Sequence, residues 1–196
     1  MTNDAQEALR GSKPSSVVQP QLARPVFFVG FMGAGKTSLA RRLARMNHVA
    51  SIDMDSYLER REGKSIADLF AEAGESAFRD KEEALLIEIV QMGPLLVSCG
   101  GGIVLRPGNR RLMKERGFVV YLKVSTEEAA SRIGDAQTRP LFTDRQAAQA
   151  LHEQRAAWYK EAAHVTIDTS GKAPAALARE VNDMLHQEGS LWQLPR

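Results

Sequence analysis

Val26-Phe27-Phe28-Val29 is an unbroken apolar run that stops at Gly30. Runs of the same kind recur at Leu95-Leu96-Val97, Phe118-Val119-Val120-Tyr121-Leu122 and Val165-Thr166-Ile167, with a weaker one at Ala50-Ser51-Ile52. A strand with one solvated face alternates apolar and polar residues. A continuous run marks a strand covered on both faces, the habit of parallel sheets. Between the runs, apolar residues return at helical spacing. Leu39, Leu43 and Met46 share one face of a first helix, and Ala84, Leu85, Ile87, Ile89 and Val90 build another, stopped by Gly93-Pro94. Pro107 opens a third helix that Gly117 closes, Ser125-Thr126-Glu127-Glu128 caps a fourth, and Pro174 starts the last, reaching about His186. Strands alternating with helices predict an α/β sandwich around a mostly parallel sheet.

The pattern fails in two places. Residues 1–24 are polar and aperiodic, with Gly11, Pro14, Ser15, Ser16 and Pro20, and read as a flexible leader. Residues 134–147 are rich in Asp, Gln, Thr and Arg without a strand pattern, the signature of a lid over a site. One domain therefore spans 25–188, with a short tail over 189–196. At 196 residues, 43% hydrophobic and 26% charged, the chain can bury a core without metal or disulfide help. A net charge of +2 gives no footing for a nucleic-acid partner. Cys99 is the single cysteine, which suits a reducing compartment. No apolar run is long enough to span a bilayer, and no signal-peptide core follows the first basic residue. A cytoplasmic protein is expected, with no membrane partner.

Chemistry concentrates where the apolar runs end. Gly30-Phe31-Met32-Gly33-Ala34-Gly35-Lys36-Thr37 fits G-x-x-x-x-G-K-[ST], between the first predicted strand and the first helix. Glycines let main-chain N–H groups wrap round phosphate, and the helix N-terminus adds positive potential. Lys36 supplies a charge for the β- and γ-phosphates and Thr37 a hydroxyl for Mg²⁺. Asp53-Met54-Asp55 follows the second run, at the sheet edge where α/β proteins bind ligands. If that segment is extended, both carboxylates point the same way, one to support Mg²⁺ through water and one to accept a proton. The same residues could instead cap a helix. Ser98-Cys99-Gly100-Gly101-Gly102 ends the third run and offers bare main chain to a ligand, although a glycine triplet can also be a plain loop. Phe78-Arg79-Asp80-Lys81-Glu82-Glu83 is read as opening a helix on which Arg79 and Glu82, three apart, can meet, either as a held guanidinium or as a solvated pair.

In this order the segments GFMGAGKTS, DMD, SIADLF, FRDKEE, SCGGG, TRPLF and QRAAWY resemble shikimate kinase, from about Val26 to about Leu185. The resemblance implies a nucleoside-monophosphate-kinase-like P-loop fold with five parallel strands in order 2-3-1-4-5. It implies ATP binding by Gly33, Ala34, Gly35, Lys36, Thr37, Ser38, Arg132, Arg139 and Pro174, with Mg²⁺ at Thr37 and, through water, at Asp53. Shikimate would meet Asp55, Arg79, Gly100, Gly101, Gly102 and Arg155, with Glu82 orienting Arg79. Asp55, Lys36 and Arg139 would carry the chemistry, Asp55 as base and Arg139 from the lid. The implied state is a monomer whose partners are shikimate and ATP. The chain departs from the pattern at Ala157, where R-x-P-x-Y would have proline.

Two other readings use the same loop. Gluconate or nucleotide kinases keep it and change the acceptor pocket, and a nucleotide-dependent binding protein keeps it without turnover. The loop reading has a direct test. Lys36→Ala is expected to abolish phosphoryl transfer and leave the melting temperature unchanged, because the lost charge serves phosphate rather than the core. Near-normal turnover in the folded variant would remove the loop from the chemistry.

Overall fold

In the computed structural model, residues 21–132, 145–188 and 192–193 are described. Five strands form the central sheet: β2 (Val26–Val29), β3 (Ser51–Asp53), β4 (Leu96–Ser98), β5 (Phe118–Lys123) and β6 (Val165–Asp168). All neighbours run parallel, in the order β3-β4-β2-β5-β6. Counted along the chain, that is the expected 2-3-1-4-5. Every residue of β2 is fully buried, which is why its run never alternates.

Helices α1 (Lys36–Asn47) and α7 (Pro174–Gln187) pack together, joined by Asn47 Nδ2 donating to Asn182 Oδ1 at 2.8 Å. A second packed layer contains α3 (Ile66–Gln91), α4 (Pro107–Arg116) and α6 (Arg145–Ala162), with α2 (Met54–Glu62) against α3 and α5 (Thr126–Arg132) against α6. Leu39 and Leu43 face the core from α1 as predicted, but Met46 is 43% exposed in the last turn. The helix drifts off the apolar face before it ends.

Helix starts differ most from the sequence reading. Ser65 accepts from the Asp68 N–H at 3.1 Å, so α3 begins well before Phe78. Gly74, at φ 78° and ψ 172°, breaks α3 into two, and the FRDKEE segment lies in the second part. Ala157 lies inside α6, where it continues the helix; a proline there would remove a backbone donor.

The leader boundary also moves. Gln21–Leu22 (β1) pairs antiparallel with Trp192–Gln193 (β7), and Leu22 is only 7% exposed within the core. Arg24 lies over the Phe118 ring at 5.4 Å. A single leucine at the end of a polar stretch carries no periodic signal, so burial there is visible only in three dimensions. Burying one leucine stabilises by about 1.5–3 kcal/mol. Deleting residues 1–24 is therefore expected to lower the melting temperature by about 3–12 °C, whereas deleting 1–20 should leave it unchanged. Equal melting temperatures for both truncations in differential scanning calorimetry would contradict the packing role of Leu22.

Candidate active site

The sheet order brings β2, β3 and β4 side by side, so the loops leaving their C-terminal ends share one cleft. From β2, residues 30–35 turn back over the edge of the sheet. Gly33 adopts φ 76°, and a Cβ there would stand 2.6 Å from the Ala129 carbonyl oxygen of α5. Only glycine allows both the dihedral and the approach. Lys36 Nζ donates to the carbonyls of Gly30 and Phe31 at 2.8 and 2.9 Å, which holds the ammonium within the loop. The first turn of α1 contains no acidic residue to offset its positive end. The loop thus leads straight into the N-terminal turn of α1, with the Lys36 ammonium folded back against it.

Asp53 serves two neighbours at once. Its Oδ1 accepts from the Ser56 N–H at 3.0 Å and caps α2, while Oδ2 accepts from Thr37 Oγ1 at 2.7 Å. Ser98 Oγ lies 3.1 Å from Thr37 Oγ1. Burial pushes the Asp53 carboxyl up, but the Ser56 amide and the Thr37 and Ser98 hydroxyls outweigh it, and the net shift is below the ordinary 3.8. The carboxylate therefore stays ionised beside two hydroxyls. A hard, oxygen-only donor set of this kind fits Mg²⁺ carried in on a nucleotide and its waters. Ser98, which the sequence reading passed over, was within reach of strand pairing. In the parallel register it stands opposite Asp53 on one side and Phe28 on the other.

Of the two readings of Asp53-Met54-Asp55, the structure has the helix cap and not the shared extended segment. Asp53 ends β3 and Asp55 lies in the first turn of α2, because the Asp53 cap makes the chain helical from Met54. The two acids consequently serve different parts of the cleft, Asp53 at Thr37 and Asp55 at the glycine triplet. A Cβ on Gly100 would stand 2.7 Å from a carboxylate oxygen of both Asp55 and Glu82.

Around the triplet the charges are tightly packed. Glu82 is 1% exposed and pairs with the Arg79 guanidinium, whose other side reaches Glu75 at 3.0 Å. The guanidinium lies over Phe70 and Phe78, 5.4 and 5.2 Å from their centroids. Of the two readings of Arg79 and Glu82, the structure has the held guanidinium, not a solvated pair. A Cβ on Gly102 would overlap that guanidinium. Burial raises the Glu82 carboxyl above its ordinary value; Arg79 and Arg155 oppose this, and the Asp55 charge adds to it. Arg155, on α6, is 9% exposed and donates from Nη1 to the Gly101 carbonyl at 3.3 Å. Its Nε is buried and makes no hydrogen bond. Tyr159 Oη donates to the same carbonyl at 2.6 Å. Cys99 is buried, and desolvation pushes its thiol far up, which suits a packing role and no nucleophilic one.

On the far side of the loop, Arg132 donates to the Thr169 hydroxyl at 3.0 Å and its carbonyl at 2.7 Å, and pairs with Glu128 at 2.6 Å. Glu128 also accepts from the Gly171 N–H at 2.9 Å. These bonds tie α5 to the segment before Pro174, which begins α7. The Arg132–Thr169 contact is one that no local motif announces, whereas Glu128 and Arg132 are four apart on one helix. Arg139 and most of the expected lid, residues 134–144, lie outside the described residues, and 145–147 begin α6.

The chain matches the family model described as shikimate kinase over residues 32–186. It is 38% identical over 166 residues to the shikimate kinase of Bacillus anthracis (strain CDC 684 / NRRL 3495), covering 84% of this chain and 99% of that protein. It is 40% identical over 176 residues to the shikimate kinase of Paracidovorax citrulli, covering 87% and 95%. Among solved structures, shikimate kinase from Acinetobacter baumannii in complex with shikimate superposes with a TM-score of 0.80 at 33% identity, over 84% of this chain and 94% of that one. A gluconokinase from Sinorhizobium meliloti shares the fold with a TM-score of 0.53 at 16% identity. With the phosphate loop, the two separated acids and the arginine-lined glycine triplet all in the family's order, the chain belongs to the shikimate kinase family.

Proposed function

We propose that this protein phosphorylates shikimate at the expense of ATP, yielding 3-phosphoshikimate and ADP, with the site residues in the roles that follow. The observation that supports it most is the meeting of Asp55, Arg79, Glu82 and Arg155 around bare glycine main chain, one strand from the phosphate loop. A flat carboxylate is best gripped by arginine forks. Arg79 is already oriented by Glu82, and the unpartnered Nε of Arg155 is an edge still able to donate. Gly100, Gly101 and Gly102 admit a ring that any side chain would displace.

In this reading the loop amides, Lys36 and Thr37 hold the ATP phosphates. Mg²⁺, when bound, screens the charge on the transferring group; Thr37 would hold it directly and the ionised Asp53 through water. Asp55 orients the acceptor hydroxyl and takes its proton as the oxygen–phosphorus bond forms and the bond to the β-phosphate oxygen breaks. ADP leaves with the electron pair. Arg132, the Thr169 segment and Pro174 flank the adenine side, and Arg139 is assigned to the transferring phosphate from the sequence pattern alone. We assign the work to a monomer whose domain includes Leu22 and runs to 188, in the cytoplasm where ATP is held. Among the described residues, no helix is long and apolar enough to cross a membrane.

A coupled ADP-release assay separates the acceptors. Shikimate is expected to be turned over, and gluconate and AMP hardly at all. Asp55→Asn should lower kcat for shikimate by about 10²–10⁴-fold, because an amide keeps a hydrogen bond but cannot take a proton. ADP release with gluconate or AMP and none with shikimate would overturn the assignment.

A further inference from the structure

Tyr159 has a place in the cleft that neither its burial nor its motif explains. It is fully buried, and its ring stacks on Tyr121 of β5, centroids 5.2 Å apart. Packing alone would be served as well by phenylalanine. The hydroxyl, however, donates to Gly101 O at 2.6 Å, and Arg155 Nη1 donates to the same oxygen at the longer distance of 3.3 Å. One partly buried carbonyl thus has two donors, from residues one helical turn apart on α6.

A carbonyl can accept two hydrogen bonds, and a buried one left with none is costly. The consequence for Arg155 is direct. A guanidinium that alone satisfied Gly101 O could turn to a ligand only by orphaning that oxygen. With Tyr159 retaining the shorter bond, Arg155 can give up the longer one at little cost. We infer that Tyr159 is a positioning residue for the acceptor: its hydroxyl holds Gly101 O so that Arg155 is free to take the acceptor's carboxylate. The same bond fixes the glycine triplet against α6. Because the peptide unit is planar and trans, a carbonyl drawn toward Tyr159 turns the Gly102 N–H the opposite way.

This inference rests on the reading of Arg155 as a carboxylate ligand, and the test keeps the two apart. Steady-state kinetics would be run on wild-type protein and Tyr159→Phe, with shikimate and with its uncharged methyl ester, beside thermal melts. Wild-type protein should prefer shikimate to the ester. Tyr159→Phe should raise KM for shikimate by about tenfold, the scale of a partly buried carbonyl left without a donor, with KM for ATP unchanged and kcat altered less than threefold. The ester, which asks nothing of Arg155, should lose little in the variant. A KM for shikimate within twofold of wild type would overturn the inference, and so would an equal loss on acid and ester, which marks a merely structural role. Wild-type protein that treats acid and ester alike would overturn the carboxylate reading itself, and the inference with it. Should Tyr159→Phe not fold, Tyr159→4-aminophenylalanine offers a second route. It keeps a donor for Gly101 O, so the acid-to-ester ratio should stay within threefold of wild type, and a tenfold fall in that ratio would overturn the inference.

Discussion

A carboxylate that is almost wholly removed from water must be compensated where it stands, and Glu82 is that carboxylate. Its compensation is the Arg79 guanidinium, held on its other side by Glu75 and bracketed by two phenylalanine rings. Once that pair is fixed, much else follows. Gly102 has to be glycine, because any Cβ would occupy the guanidinium's space. Gly100 has to admit Asp55 and Glu82 on the same side. The raised Glu82 carboxyl indicates that Arg79 does not fully cancel the cost of burial and of the neighbouring Asp55 charge. As isolated structure the cluster is expensive; in the proposed function it presents a pre-aimed cation to an anionic acceptor.

The nucleotide side is built on a different principle. There the backbone supplies most of the potential, through the loop amides and the start of α1, and side chains supply the remainder. Asp53 joins the two halves. One oxygen starts α2, which carries Asp55, and the other holds the Thr37 hydroxyl. A single side chain therefore sets the end of β3, the start of the helix bearing Asp55 and the position of the Thr37 hydroxyl. Because hydrogen bonds overcome burial at Asp53 but not at Glu82, two acids in one cleft are driven in opposite directions.

The contrast between what local sequence discloses and what it hides has a physical origin. Unbroken apolar runs at 26–29 and 118–122 reveal buried parallel strands because burial on both faces leaves no alternation. The phosphate loop is legible because its chemistry depends on one continuous backbone segment. Arg79 and Glu82 are three apart on a helix, so their meeting can be read from spacing, although their burial cannot. Leu22 in the core, Ser98 beside Thr37, Thr169 under Arg132 and Tyr159 on Gly101 are all contacts between distant segments. Each depends on strand order and register, which no local pattern contains. Asp53-Met54-Asp55 left two readings open for another reason: a carboxylate at a strand end suits a ligand site and a helix cap equally, and here Asp53 is a cap as well.

In the proposed function the Glu82–Arg79 pair serves the acceptor and not the fold. Replacing Glu82 by glutamine keeps the shape and removes the charge. Isothermal titration calorimetry of Glu82→Gln against wild-type protein, with shikimate and separately with ADP, tests this most directly. Shikimate affinity should fall by about tenfold as Arg79 loses its orienting charge, a change of about 1.4 kcal/mol, while ADP affinity stays as it was. The melting temperature should hold or rise, since a carboxyl whose protonation is favoured by burial loses little by becoming neutral. Unchanged shikimate affinity together with a large loss of stability would contradict the claim, and would make the buried pair a structural support.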